Sequence, residues 1–149
     1  MSMIITSVPM TPDTLSRLAP PLIVLQFAAF SWRVNREINL AHADRQTYIP
    51  IPDCLNILSL FAAVICLIVV PITTEAYLWL SRIVLGIGYV LIAFHPLTTA
   101  AHYRLWSREG RTKHVAPGKD DPYATSEEIV LSSLSVAVAI LAAVYIGTH

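Results

Sequence analysis

Three stretches of this chain are long, apolar and nearly free of charge, and they fix its solvent before any motif is read. Cys54 to Val70 carries no charged residue and ends at Pro71, Ala76 to Phe94 carries only Arg82, and Ile129 to Gly147 carries none. A helix of about 20 mostly apolar residues crosses about 30 Å of hydrocarbon. A fourth segment, Leu18 to Trp32, is uncharged but short, and reaches spanning length only when extended back to Pro12. Charged residues make up 13% of the 149, about half the share of about 25% usual in soluble domains. A nucleic-acid binder, a secreted disulfide scaffold and a disordered chain are excluded on that ground.

The expected fold is therefore all-α, a polytopic membrane protein built as a four-transmembrane-helix bundle. It forms one membrane domain over residues 1–149, with spans at about 12–32, 52–70, 76–95 and 129–147. Loops 33–51 and 96–128 join them on one side, the first continuing the helical register of its span from Arg33 as a helix beyond the membrane until Tyr48-Ile-Pro-Ile-Pro breaks it. The first sixteen residues contain no Lys or Arg, so the basic start of a signal peptide is missing and the first span is expected to be retained.

Charge distribution orients the bundle. Eight of the ten basic residues fall in the two long loops: Arg33, Arg36, Arg45, Arg104, Arg108, Arg111, Lys113 and Lys119. The positive-inside bias places those loops in the cytoplasm and both termini outside. Trp32, Tyr48, Tyr103 and Trp106 then sit at inner span ends, and Tyr77, Trp79 and Tyr145 at outer ends, as interfacial aromatics do.

Local signals mark the helix ends. Thr11-Pro12-Asp13 supplies a capping hydroxyl, a proline at the first helical position and an acid in the first turn. Asp13 and Arg17 are spaced to pair along one face, and Pro20-Pro21 is expected to kink the helix. Thr125-Ser126-Glu127-Glu128 reads as a capping box opening the last span. Cys54 and Cys66 lie about 18 Å apart along one helix, and are expected as buried thiols with no metal role.

Several residues stand out as candidates. Ser135, Ala139, Ala143 and Gly147 repeat every four residues and present a narrow stripe for helix packing, with Gly86 and Gly88 as a facing surface. The stripe fits contact with a neighbouring helix of the same chain, or a self-association seam. Arg82 lies about 9 Å inside the membrane if its helix begins at Ala76. It either snorkels outward, pairs with Glu75 or Asp13, or lines a pocket that holds an anionic ligand. His95 and His102 share a face if the helix continues through Pro96, and read as interfacial histidines or as ligands. Arg104, Arg108, Arg111 and Lys113, interleaved with Leu105 and Trp106, suit anionic lipid headgroups or a solvated loop. No metal-ligand spacing, phosphate-cradling glycine loop or nucleophile elbow is present.

In the third span, Arg82-Ile-Val-Leu-Gly-Ile-Gly-Tyr89 resembles the arginine-then-tyrosine helix of the MAPEG superfamily, the membrane-associated proteins of eicosanoid and glutathione metabolism. Chain length and four spans with outer termini are similar as well, and Ala41-His42 is similar to the family's segment entering the second span. The family's Arg…Asn-x-x-Glu array before the second span is absent, with Asp44 and Gln46 or Asp53 and Asn56 the nearest substitutes. The resemblance implies glutathione bound between subunits of a trimer, with Arg82 holding a carboxylate and Tyr89 donating to the thiolate.

Three functions follow. The first is a non-catalytic helical subunit in the bilayer, packed with copies of itself or with other membrane subunits, without nucleic acid and without a cofactor. The second is a MAPEG-like enzyme or binder of amphipathic ligands that uses glutathione. The third is an oligomeric pore or transporter lined by serines of the last span, Ser132 and Ser135 among them.

Overall fold

A computed structural model describes residues 11–42, 49–77, 79–103 and 125–148. Among them the chain is helical: α1 Pro12–His42, α2 Ile51–Thr74, α3 Trp79–His102 and α4 Ser126–Thr148. The helices α2, α3 and α4 are each long and apolar enough to cross a membrane. Charges at both ends of α1 (Asp13, Arg17, Arg33, Arg36 and Glu37) set it apart from that group.

The cap at Thr11 forms as its sequence dictates. Thr14 donates its backbone N–H to Thr11 Oγ1 at 3.3 Å, and Arg17 Nε meets Asp13 Oδ2 at 3.0 Å. From there α1 runs through Pro20 and Pro21 as one helix. It also passes the expected end at Trp32, because Arg33 to His42 contains neither Gly nor Pro and an Arg33–Glu37 pair at 2.9 Å bridges one turn. Arg33 and Arg36 thus lie in the helical continuation of the first span, as the register from Arg33 onward predicts.

Two other expected boundaries also move. Pro71 does not end α2: residues Ile65–Val69 widen into a π turn and the helix resumes to Thr74, capped by Glu75 at φ 56°. Such a turn, next to a proline that lacks an N–H, leaves carbonyls short of a donor. Ser81 of α3 supplies one, its hydroxyl donating to the Cys66 carbonyl at 2.9 Å. Pro96 likewise lies inside α3, which continues to His102.

Cross-helix contacts define an antiparallel order. Gln26 meets Ser59, Arg33 meets Asp53, His95 meets Asp53 and His102 meets Glu128. The most extensive packing is α3 on α4. A Cβ on Gly86 would strike Ile146 of α4, and one on Gly88 would lie 2.7 Å from Leu22 of α1. Ser135 and Ala139 are buried, Ala143 is half-buried and Gly147 is exposed beside Ile83. The small-residue stripe therefore turns toward α3 of its own chain, most tightly over its first half.

Burial is inverted relative to a water-soluble protein. The interior includes Gln26, Arg33, Asp53, Asn56, His95 and Glu128, whereas Val24, Phe27, Leu58, Phe61, Ile72, Val130 and Leu141 are exposed. Continuous exposed hydrocarbon of this kind marks a non-aqueous or protein-covered surface. Cys54, expected to be buried, lies on that exposed surface, and Cys66 is half-buried. The apolar core, formed by Leu15, Ala19, Leu22, Ala63, Leu67, Val84 and Leu85, occupies the half of the bundle nearer Trp79. The polar residues occupy the half nearer His102.

Candidate functional site

The polar half is built around Asp53. Pro50 caps α2 with extended backbone and Pro52 lies in the first turn, where prolines remove only N–H groups that the helix leaves unpaired. Asp53 follows in that turn, where negative charge suits the helix dipole. Its Oδ2 accepts from Arg33 Nε of α1, and its Oδ1 lies 3.0 Å from His95 Nε2 of α3. Arg33 is 2% exposed and Asp53 4%. One carboxylate therefore joins three helices.

Around Arg33 the charges alternate. Its Nη1 lies 2.9 Å from Glu37, and Arg36 lies 3.8 Å from the same carboxylate. The Arg36 guanidinium stands 3.9 Å from the centre of the Tyr103 ring, and Arg33 approaches that ring at 5.4 Å. Arg36 is half-buried beside the like charge of Arg33, which is costly. Cation–π contact with Tyr103 offsets part of that penalty.

A second carboxylate lies beyond. Glu128 is 0% exposed. Thr125 Oγ1 accepts from the Glu128 N–H at 3.0 Å, which is one arm of the expected capping box. The reciprocal arm does not form, because the Glu128 carboxylate reaches across the bundle instead. Its Oε1 accepts from the Ile51 N–H at 2.9 Å and its Oε2 lies 2.8 Å from His102 Nδ1. A residue placed by its sequence as the cap of α4 thus caps α2 as well. Thr125 also donates to the Ala101 carbonyl at 3.1 Å.

Toward the middle of the bundle the groups are neutral. Asn56 Nδ2 donates to the Gln26 carbonyl at 2.9 Å, and Gln26 Nε2 donates to Ser59 Oγ at 2.7 Å.

Of the residues singled out from sequence, His95 and His102 are brought into this cluster, each opposite a carboxylate on another helix. The other pair separates from it. The Tyr89 hydroxyl donates to the Leu18 carbonyl of α1 at 3.0 Å. Arg82 is half-buried in the first turn of α3, because that helix begins at Trp79 and not at Ala76. It has no ion pair among the described residues, where Asp13 is joined to Arg17 instead. Arg104, Arg108, Arg111 and Lys113 lie outside the described residues. No group of His, Cys, Asp and Glu among the described residues is arranged to hold a metal.

Sequence reasoning missed Gln26, read Arg33 only as an orienting loop charge, and named Asp53 and Asn56 only as substitutes for the absent Arg…Asn-x-x-Glu array. The available signal was their register: each is a polar residue one or two turns from another along a helix that continues past the apolar run. No family model, curated protein or solved structure matches the chain.

Proposed function

We propose that this chain is an integral membrane protein of four spans that acts as a non-catalytic helical subunit, self-associating or assembled with other membrane subunits. One observation carries the reading. The charged and titratable groups brought into the interior face one another within the chain, Arg33 with Asp53 and Glu37, His95 with Asp53 and His102 with Glu128, while the outer surface is largely hydrocarbon. Charges paired this way specify which helix meets which. They leave an exterior suited to lipid and to other membrane helices.

On this reading α1 is the fourth span, with Arg33 carried at its inner end and neutralised by Asp53. The connections from α1 to α2 and from α3 to α4 face the cytoplasm and the termini lie outside. The pore reading loses its lining, since Ser132 and Ser135 turn into the bundle. The glutathione reading keeps Arg82 but finds the Tyr89 hydroxyl engaged with Leu18.

Purification in mild detergent followed by native mass measurement tests the assembly. A particle heavier than one chain, or one carrying a second membrane polypeptide, is expected; a bare monomer overturns the reading. Cysteines at Leu40 and Gly110 are expected to react with an impermeant reagent from the same side of the membrane. Labelling from opposite sides would remove the four-span topology.

A further inference from the structure

More polar atoms lie inside the bundle than its ion pairs and hydrogen bonds employ. Gln26 Oε1, Asn56 Oδ1, Thr99 Oγ1 and Ser132 Oγ have no hydrogen-bond partner within the described residues. Each belongs to a side chain more than nine-tenths buried. A buried polar atom surrounded by hydrocarbon demands a partner.

Helical register places them one turn from the charged cluster or joined to a residue that is. Ser132 lies one turn along α4 from Glu128. Thr99 lies one turn along α3 from both His102 and His95. Asn56 lies one turn along α2 from Asp53, and its amide is joined to Gln26. A helical turn rises about 5.4 Å, a distance that one bridging water spans. Buried waters typically make about three hydrogen bonds to groups left unsatisfied by the protein. Hydroxyls donate and accept, and histidine does both according to its tautomer. The order is thus Glu128 and His102, then Ser132 and Thr99, then His95 and Asp53 beside Arg33, then Asn56 and Gln26. Beyond Ser59 the buried residues include Leu22, Ala63, Leu67 and Leu85, the Ser81 hydroxyl there is already engaged with the Cys66 carbonyl, and an apolar interior stays dry.

We propose that water enters the bundle at its His102 end and fills this line as far as Gln26 and Asn56. It gives the buried Asp53–His95 pair proton exchange with one side of the membrane only, and the apolar residues Leu22, Ala63, Leu67 and Leu85 close the other end. The occupant is water with its mobile proton and not a metal cation, because no group of His, Cys, Asp and Glu among the described residues is arranged to hold one. Charged or titratable groups border the path from all four helices: Arg33, Arg36 and Glu37 of α1, Asp53 of α2, His95 and His102 of α3 with Tyr103 following it, and Glu128 of α4.

Cysteine accessibility tests the path. In full-length protein carrying Cys54→Ala and Cys66→Ala, single substitutions Thr99→Cys, Ser132→Cys, Ala63→Cys and Leu85→Cys are reconstituted in liposomes. A small charged methanethiosulfonate is then applied to one side at a time. Thr99→Cys and Ser132→Cys are expected to react from the His102 side about tenfold or more faster than the other two, because only a wet site carries the reagent. Equal, slow reaction at all four positions overturns the proposal, and so does rapid reaction of Ala63→Cys or Leu85→Cys from that side. Hydroxyl-radical footprinting of the unsubstituted protein gives a reading independent of any variant. Oxidation of His95 well above that of Leu85 is expected, and protection of His95 to the level of Leu85 overturns the proposal.

Discussion

The Oε2 of Glu128, in the first turn of α4, lies 2.8 Å from Nδ1 of His102, the last residue of α3. With its other oxygen on the Ile51 N–H, this carboxylate fastens the ends of three helices at one level. Glu128→Ala removes both contacts and leaves His102 opposite a void. Breaking a buried pair by removing one partner costs about 3–5 kcal/mol. Thermal unfolding of Glu128→Ala in detergent is expected to show that loss. Glu128→Gln, which keeps an acceptor for Ile51, is expected to lose clearly less; equal losses would mean the Ile51 contact contributes nothing.

Asp53 and Arg33 are expected to behave as one unit. Asp53→Ala removes the carboxylate that faces both Arg33 and His95, leaves Arg33 with Glu37 alone of its two carboxylates, and is expected to destabilise by about 3–5 kcal/mol, whereas the double substitution Arg33→Met with Asp53→Leu is expected to recover much of it. A double-mutant cycle in denaturant measures the coupling. Additive effects would show that the two side chains do not act on each other.

Tyr89→Phe deletes the hydroxyl that reaches Leu18. One hydrogen bond of this type contributes about 0.5–1.5 kcal/mol, and a stability loss in that range is expected. Calorimetric titration of the unsubstituted protein with glutathione is expected to show no heat of binding. Binding that disappears in Arg82→Ala would instead favour the glutathione reading.

Gly88 lets α3 approach Leu22 and Ser59 closely. A side chain there overpacks a buried junction, and Gly88→Val is expected to destabilise by about 1–3 kcal/mol. The same change at Gly147, where a Cβ would lie 3.5 Å from Ile83, is expected to matter little. Comparing the two unfolding midpoints checks whether close approach, and not glycine content, holds α3.

Much of the architecture was legible because hydrocarbon imposes a length and an absence of charge, and Cys54 to Val70 and Ile129 to Gly147 satisfy both. The caps at Thr11 and Thr125 were legible because the atoms involved are three residues apart. Prolines misled at Pro71 and Pro96. A break expected from a missing N–H was avoided at Pro71 by a π turn and a hydroxyl from another helix. The polar cluster was not legible, since positive-inside reasoning treats a charge beside an apolar run as solvated. Arg33 becomes an interior residue only once Asp53, twenty residues away across a connection, stands opposite it. His95 and His102 were visible as candidates, but their carboxylate partners lie on other helices.

The Arg33–Asp53 contact bears on how the chain is made. On the four-span reading neither α1 nor α2 can carry its own charge into lipid without the other alongside. On that reading the two helices are expected to leave the insertion machinery as a hairpin, with α1, the least apolar of the four, held in the bilayer by a residue synthesised after it.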